Sequence, residues 1–148
     1  MSQREVPSTR PGPADVGLRF LAAAHRARGA IDRQMAAAGL TLSRIKLLQV
    51  LAGRGPVHQA ELAEVLGQAP RSVTQTVEAL ERLQLVTRVV DPDDRRRKTV
   101  GLTEKGRSAL TAGEQAGHQA LECIFGALDA GQLADLDKLL ACLETVPT

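Results

Sequence analysis

Residues 69–103 read APRSVTQTVEALERLQLVTRVVDPDDRRRKTVGLT, and this stretch decides the fold. In its first part Val73, Val77 and Leu80 recur at i, i+4 and i+7, which is one buried side of a helix. Arg71, Gln75, Glu78 and Arg82 fall on the opposite side, flanked by Ser72, Thr74 and Ala79. The β-branched run from Val86 to Val90 and the run from Thr99 to Thr103 then read as two strands. Between them Asp91-Pro92 favours a turn, and three consecutive arginines make its tip basic. A helix followed by a basic-tipped hairpin is a winged helix, a two-pronged device for gripping duplex DNA.

The flanking sequence completes the motif. His58-Gln59-Ala60-Glu61 reads as a helix start with Glu61 in the capping-box position, and Leu62, Ala63, Val65 and Leu66 as that helix's core face, closed by Gly67. With the helix beginning at Pro70 it forms a helix-turn-helix pair. Pro70 suits a first helical turn because its missing N–H would be unpaired there anyway. Ala69 offers no side-chain acceptor, which leaves the amides of that turn free for a phosphate or for water. Upstream, a helix capped by Thr41 or Ser43 draws its core from Ile45, Leu47, Leu48, Val50 and Leu51, and is stopped by Gly53 and Gly55-Pro56. Before it a helix runs from a cap at Asp15 to about Ala38, ended by a left-handed Gly39. Residues 1–13 hold three prolines and no periodicity, so a mobile arm is expected, with Arg4 and Arg10 able to brush phosphates. Beyond Thr103 a long helix is expected to about Leu128, and a last one from Gln132 to Val146.

The wing residues resemble the MarR family of bacterial transcription regulators. Asp94-x-Arg96, five further residues, Leu102-Thr103 and then Gly106 match the family signature D-x-R-(x5)-L-T-x-x-G. Leu80-Glu81, Leu85-Val86 and Arg88 fit the same spacing, and the similarity spans residues 15–146. The chain departs from the pattern at His58, where a Ser or Thr is usual, and at Gln84, where Gly usually holds the left-handed cap. The resemblance implies a mainly α fold with a small β-hairpin wing, a winged helix-turn-helix with N- and C-terminal dimerisation helices. The division expected is a disordered arm (1–13), a helical dimerisation region (14–40 and 104–148) and a winged-helix DNA-binding domain (41–103). The small residues Gly106, Ala109, Gly113, Gly117 and Ala120, with the leucine face of Leu133, Leu136, Leu139, Leu140 and Leu143, suit helices interlocked between two subunits.

Composition limits the alternatives. The chain is 43% hydrophobic but only 1% aromatic, which favours helices packed at close range. Its net charge of +2 is too small to announce a nucleic-acid binder, but the charge is graded: residues 1–58 carry a net +6 and residues 104–148 a net −4. No apolar run approaches the roughly 20 residues a bilayer needs, and the N-terminus lacks a signal peptide's apolar core. A cytoplasmic protein with no membrane partner is expected. His25, His58 and His118 are scattered, and no phosphate loop, metal-ligand spacing or nucleophile motif is present, so neither an enzyme nor a cofactor is expected. Cys123 and Cys142 make no disulfide framework.

Duplex DNA is the expected partner. Side chains from the first two turns of a helix in the major groove read base edges, which nominates Arg71, Ser72, Thr74 and Gln75. Arg71 suits guanine and Gln75 adenine. In the wing, Arg95, Arg96, Arg97 and Lys98 supply the cations; by resemblance Arg96 enters the minor groove and Asp94 braces it. Glu78 and Glu81 are expected to lie beyond the groove floor. One recognition helix covers too few base pairs for genomic specificity, so a homodimer on a palindromic operator is expected. By resemblance, a small amphipathic effector binds between the dimer helices and the DNA-binding lobe. With only Phe20 and Phe125 as aromatics, stacking is not expected to be its main grip, and no pocket residue is nominated. Two other readings stay open: a thiol switch on Cys123 or Cys142, and a winged-helix protein-interaction module that never touches DNA.

Overall fold

The computed structural model describes residues 10–147. Its core is a three-helix lobe closed by a small sheet: α2 (Leu42–Arg54), α3 (Gln59–Leu66) and α4 (Pro70–Arg82), with β1 (Val57–His58), β2 (Val86–Val90) and β3 (Lys98–Leu102). The strands lie in the order β1-β3-β2, all antiparallel, with Val57 opposite Val100 and Arg88 opposite Val100 on the other side. Val73, Val77 and Leu80 of α4 are fully buried with Leu48, Leu62 and Val100, as the period predicts. α1 (Pro13–Met35) and α5 (Glu104–Phe125) pack beside this lobe, and α6 (Ala130–Glu144) follows.

Several local expectations are corrected. Asp15 is not the cap of α1. Gly12 is, with Pro13 as the first helical residue and the Asp15 carboxylate accepting from the Gly12 N–H at 3.2 Å. Of the expected arm, residues 1–9, Arg4 among them, lie outside the described residues, and Pro13 belongs to α1. The helix gives way after Met35 to a tighter turn over Ala36–Ala38 and a left-handed Gly39. Thr41 caps α2 by accepting from the Arg44 N–H, and α2 continues through Gly53 to end at Gly55. Glu61 forms no capping box with His58; its carboxylate pairs with Arg54 at 3.2 Å instead. Val65 faces solvent rather than the core. α5 ends at Phe125, not Leu128. α6 begins at Ala130, because Asp129 and Gln132 cap each other's backbone amides one turn earlier than the leucine pattern starts.

The small-residue row of α5 serves the protomer itself. A β-carbon on Gly113 would overlap Ile45 and meet Leu40, and one on Gly117 would overlap Met35. These glycines let α5 approach α2 and the end of α1, so they do not report an intersubunit face. The leucine face of α6 is different. No α6 residue is buried, and Leu139 and Leu143 are 64% and 59% exposed. The front of α1 is equally bare, with Val16, Leu18, Phe20 and Leu21 all exposed. No single helix among the described residues is long and apolar enough to cross a membrane.

Candidate DNA-binding interface

α4 is held from three sides, which fixes what its free side presents. Its apolar stripe sits in the core. At its C-terminal end Glu81 and Glu78 reach Arg88 of β2 at 3.2 and 3.9 Å, so both acids are spent on joining the helix to the wing. At its start, Gln59 of α3 donates to the Thr74 hydroxyl at 2.7 Å, and that hydroxyl donates to the Pro70 carbonyl at 3.0 Å. Thr74 is therefore half-buried and engaged, whereas Arg71, Ser72 and Gln75 are exposed. No side chain caps the helix at Ala69.

The junction from α4 to the wing explains one half of the sequence signature. Gln84 adopts φ +60°, a left-handed conformation that costs a non-glycine residue about 1 kcal/mol. Its carbonyl accepts from the Thr103 hydroxyl at 2.7 Å, and the same hydroxyl caps α5 by accepting from the Gly106 N–H at 2.9 Å. Leu85 closes the ring, its carbonyl accepting from the Thr103 N–H at 3.1 Å. The L-T-x-x-G spacing is thus a helix cap that also clamps the root of the wing.

The tip explains the other half. The Asp94 carboxylate accepts from the backbone N–H of Arg96 at 3.0 Å, and the Asp94 carbonyl accepts from the Arg97 N–H at 2.9 Å. The D-x-R pair is a local side-chain turn. Asp94 holds Arg96 by its main chain, and Asp91 does the same one step earlier by accepting from the Asp93 N–H. Arg95, Arg96 and Arg97 are exposed and Lys98 is half-buried. Among the described residues, no acid lies within ion-pair distance of Arg71 or of these four, while Arg54, Arg88 and Arg107 are paired. Arg71 on the exposed side of α4 and the four cations of the wing are thus all without an acid partner among the described residues.

A family model described as the MarR family matches residues 38–97. The HTH-type transcriptional repressor NicR of Pseudomonas putida is 34% identical over 147 residues, covering 95% of this chain and 93% of that protein. The chain belongs to the MarR family. The likeness in fold extends to Bordetella bronchiseptica BpsR, solved to explain regulation of its DNA binding by 6-hydroxynicotinic acid (22% identity, TM-score 0.71, 87% of this chain and 98% of that one). It also extends to a cysteine-to-serine mutant of Escherichia coli MarR in complex with operator DNA (21% identity, TM-score 0.71, 86% and 92%). This MarR-family chain has its Cys123 on α5 and Cys142 on α6, both exposed.

The sequence nominates no residue for the effector site expected between the helical region and the winged-helix lobe, and this MarR-family chain has a crevice in that position. An apolar crevice of about 620 Å³ opens where α1, the start of α2, α5 and α6 meet. Phe20 and Phe125, the only aromatics in the chain, both line it with Ile31 and Leu140, and His25 and Arg28 are its polar members. Arg28 also donates to Ser43 of α2 at 3.0 Å, and Asp32 accepts from the Leu42 N–H at 2.7 Å. The wall of the crevice is thereby tied to the first turn of α2.

Proposed function

We propose that this protein is a dimeric, sequence-specific DNA-binding repressor whose hold on a palindromic operator is released by a small amphipathic molecule. The observation that carries the reading is the group of exposed or half-buried cations on α4 and the wing. Arg71 and the cations of the wing have no acid within ion-pair distance among the described residues, and the two acids at the C-terminal end of α4, Glu78 and Glu81, are drawn away by Arg88. In this reading Arg71, Ser72 and Gln75 face base edges, Thr74 sets the helix in register with α3, and Arg96 enters the minor groove while Arg95, Arg97 and Lys98 neutralise phosphate. The wing's free cations disfavour a module that binds only protein. Repression follows the relationship to NicR, and ligand release is supported by the crevice, whose two phenylalanines make stacking a larger part of the grip than two aromatics in a sequence suggest. An anionic ligand drawn to Arg28 would compete with Ser43 for it, and so loosen α2. Selection of bound fragments from the protein's own genome, with and without candidate ligands, tests the whole reading.

The dimer is assigned to the front of α1 and to α6, whose apolar faces have nothing to cover them among the described residues. Light scattering at micromolar concentration is expected to return twice the chain mass. A folded monomer there would remove the twofold on which the palindrome depends.

Asp94→Ala is expected to weaken duplex binding, although it deletes a negative charge beside phosphates. Coulomb's law alone predicts the opposite sign. The turn predicts a loss, because without the Asp94 acceptor the Arg96 backbone is no longer fixed and its ordering is paid at binding. Asp94→Asn keeps the acceptor and drops the charge, so it should bind at least as well as wild type. Asp93→Ala should do the same, since the Asp93 side chain is exposed and only its amide is used. Affinities at one salt concentration decide the matter: if Asp94→Ala matches Asp94→Asn, the turn has no part in DNA binding.

A further inference from the structure

A helix lying in the major groove, about 12 Å wide, has a sugar-phosphate strand on each side of it. α4 is flanked by two grooves. One, of about 480 Å³, lies between the start of α3 and the wing and contains Pro70 with Arg96, Arg97 and Lys98 on the wing side and Glu61 and Glu64 on the α3 side. The other, of about 460 Å³, lies between the start of α2 and α4, and contains Ser43, Arg44, Gln68, Ser72 and Gln75. In the first, three cations outnumber two acids. In the second the only charged side chain is Arg44.

We propose that the groove between α2 and α4 seats the second DNA strand, and that Arg44 is its phosphate ligand. The proposal rests on the DNA-binding reading above and adds a contact outside both the recognition helix and the wing. Arg44 is half-buried, and its Nη1 donates to the Gly39 carbonyl, which holds the guanidinium in place. Among the described residues it has no ion-pair partner. A guanidinium has five N–H donors in a planar fork, so the remaining ones are available to a phosphate. Ser72 and Gln75, two of the proposed base readers, form the opposite wall of the same groove, so a strand seated there runs directly beside the bases they would read. Ser43 and Gln68 add uncharged hydrogen-bonding groups along the groove.

Two variants separate this role from a purely structural one at the Gly39 turn. Arg44→Gln removes the charge and keeps a donor for the Gly39 carbonyl. Ser43→Asp leaves Arg44 untouched and places an acid in the groove; in the first turn of α2 an acid favours the helix, so folding is retained. Both are measured by thermal unfolding and by affinity for a selected duplex and a scrambled one across a salt series. Arg44→Gln is expected to weaken both duplexes alike and to reduce the slope of log affinity against log salt by about 1 per protomer. Ser43→Asp is expected to weaken both by about tenfold with a melting temperature at or above that of wild type. Wild-type affinity and slope in Ser43→Asp would overturn the proposal, as would an Arg44→Gln protein that loses stability but keeps its slope. A change of base preference in Arg44→Gln would also overturn it, making Arg44 a base reader. Each of these outcomes leaves the DNA-binding reading standing, whereas a wild-type protein that binds neither duplex removes both.

Discussion

Gly106→Ala is expected to lower the stability of the fold by about 3 kcal/mol or more, because no other glycine has backbone so close to the position of an added β-carbon. A β-carbon at Gly106 would overlap the Leu85 carbonyl oxygen and lie 2.9 Å from the Leu85 carbonyl carbon and 2.8 Å from Leu102 Cδ1. Backbone cannot rotate out of the way as a side-chain end can. The first turn of α5 would have to lift off the α4–β2 junction, stretching the Thr103 N–H bond to Leu85 and the Thr103 hydroxyl bond to Gln84 together. Gly113→Ala is the control. Its added carbon overlaps side chains, Ile45 and Leu40, and not backbone. A repacking cost of about 1–3 kcal/mol is set against a helix-propensity gain of up to about 1 kcal/mol, and the net loss is expected to be smaller than at Gly106. Urea unfolding followed by helical circular dichroism, at one fixed protein concentration, gives both values. If Gly106→Ala falls within about 0.5 kcal/mol of wild type, the clamp at the root of the wing is not what the L-T-x-x-G spacing builds.

The second large effect is on recognition. Arg71→Ala should cost about 1–3 kcal/mol of discrimination at one base pair in each half-site, while barely altering affinity for unrelated duplexes. Arg71 is exposed in the first turn of a helix whose opposite stripe is wholly buried, so neither fold nor register depends on it. It has no acid partner among the described residues, so its guanidinium need not be stripped from another contact before it meets guanine. Arg96→Ala should behave otherwise, weakening A·T-rich and other flanks by different amounts because minor-groove width is read through its potential. Binding to a panel of single-base operator variants distinguishes the two. A uniform loss across that panel in Arg71→Ala would make it a phosphate clamp and end its assignment to the major groove.

The parts of this fold that were legible in the sequence are those governed by local periodicity or by a spacing with one physical solution. Val73, Val77 and Leu80 could only be one side of a helix, and all three are fully buried. The D-x-R and L-T-x-x-G spacings resolve into a turn and a cap, both made within a few residues. Even the awkward Gln84 sits in the left-handed conformation that glycine usually fills. What the sequence hid depends on distant partners. β1 is two residues long and exists only because Val57 and His58 meet Val100 and Thr99 some forty positions on. Glu61 had the spacing of a capping box, but Arg54 is close enough to claim it. Glycines at close approach look the same whether the neighbour is another chain or the same one, which is why Gly113 and Gly117 suggested a subunit interface. Of the four nominated residues on α4, Thr74 is the one whose hydroxyl is already engaged, and only the placement of Gln59 reveals it. Arg44 carried no signal at all. A lone arginine in a helix becomes notable only when it is found beside Ser72 and Gln75 without an acid to pair with.

In the proposed function, α4 and the wing form a single DNA-gripping surface, doubled by a twofold. The most direct test is affinity for a genome-selected duplex across a range of salt concentrations, with the protected bases mapped on the same fragment. Log affinity is expected to fall steeply and linearly with log salt, over a palindrome whose half-sites are centred about one helical turn apart. Binding indifferent to salt, or no binding to any duplex, would contradict that function.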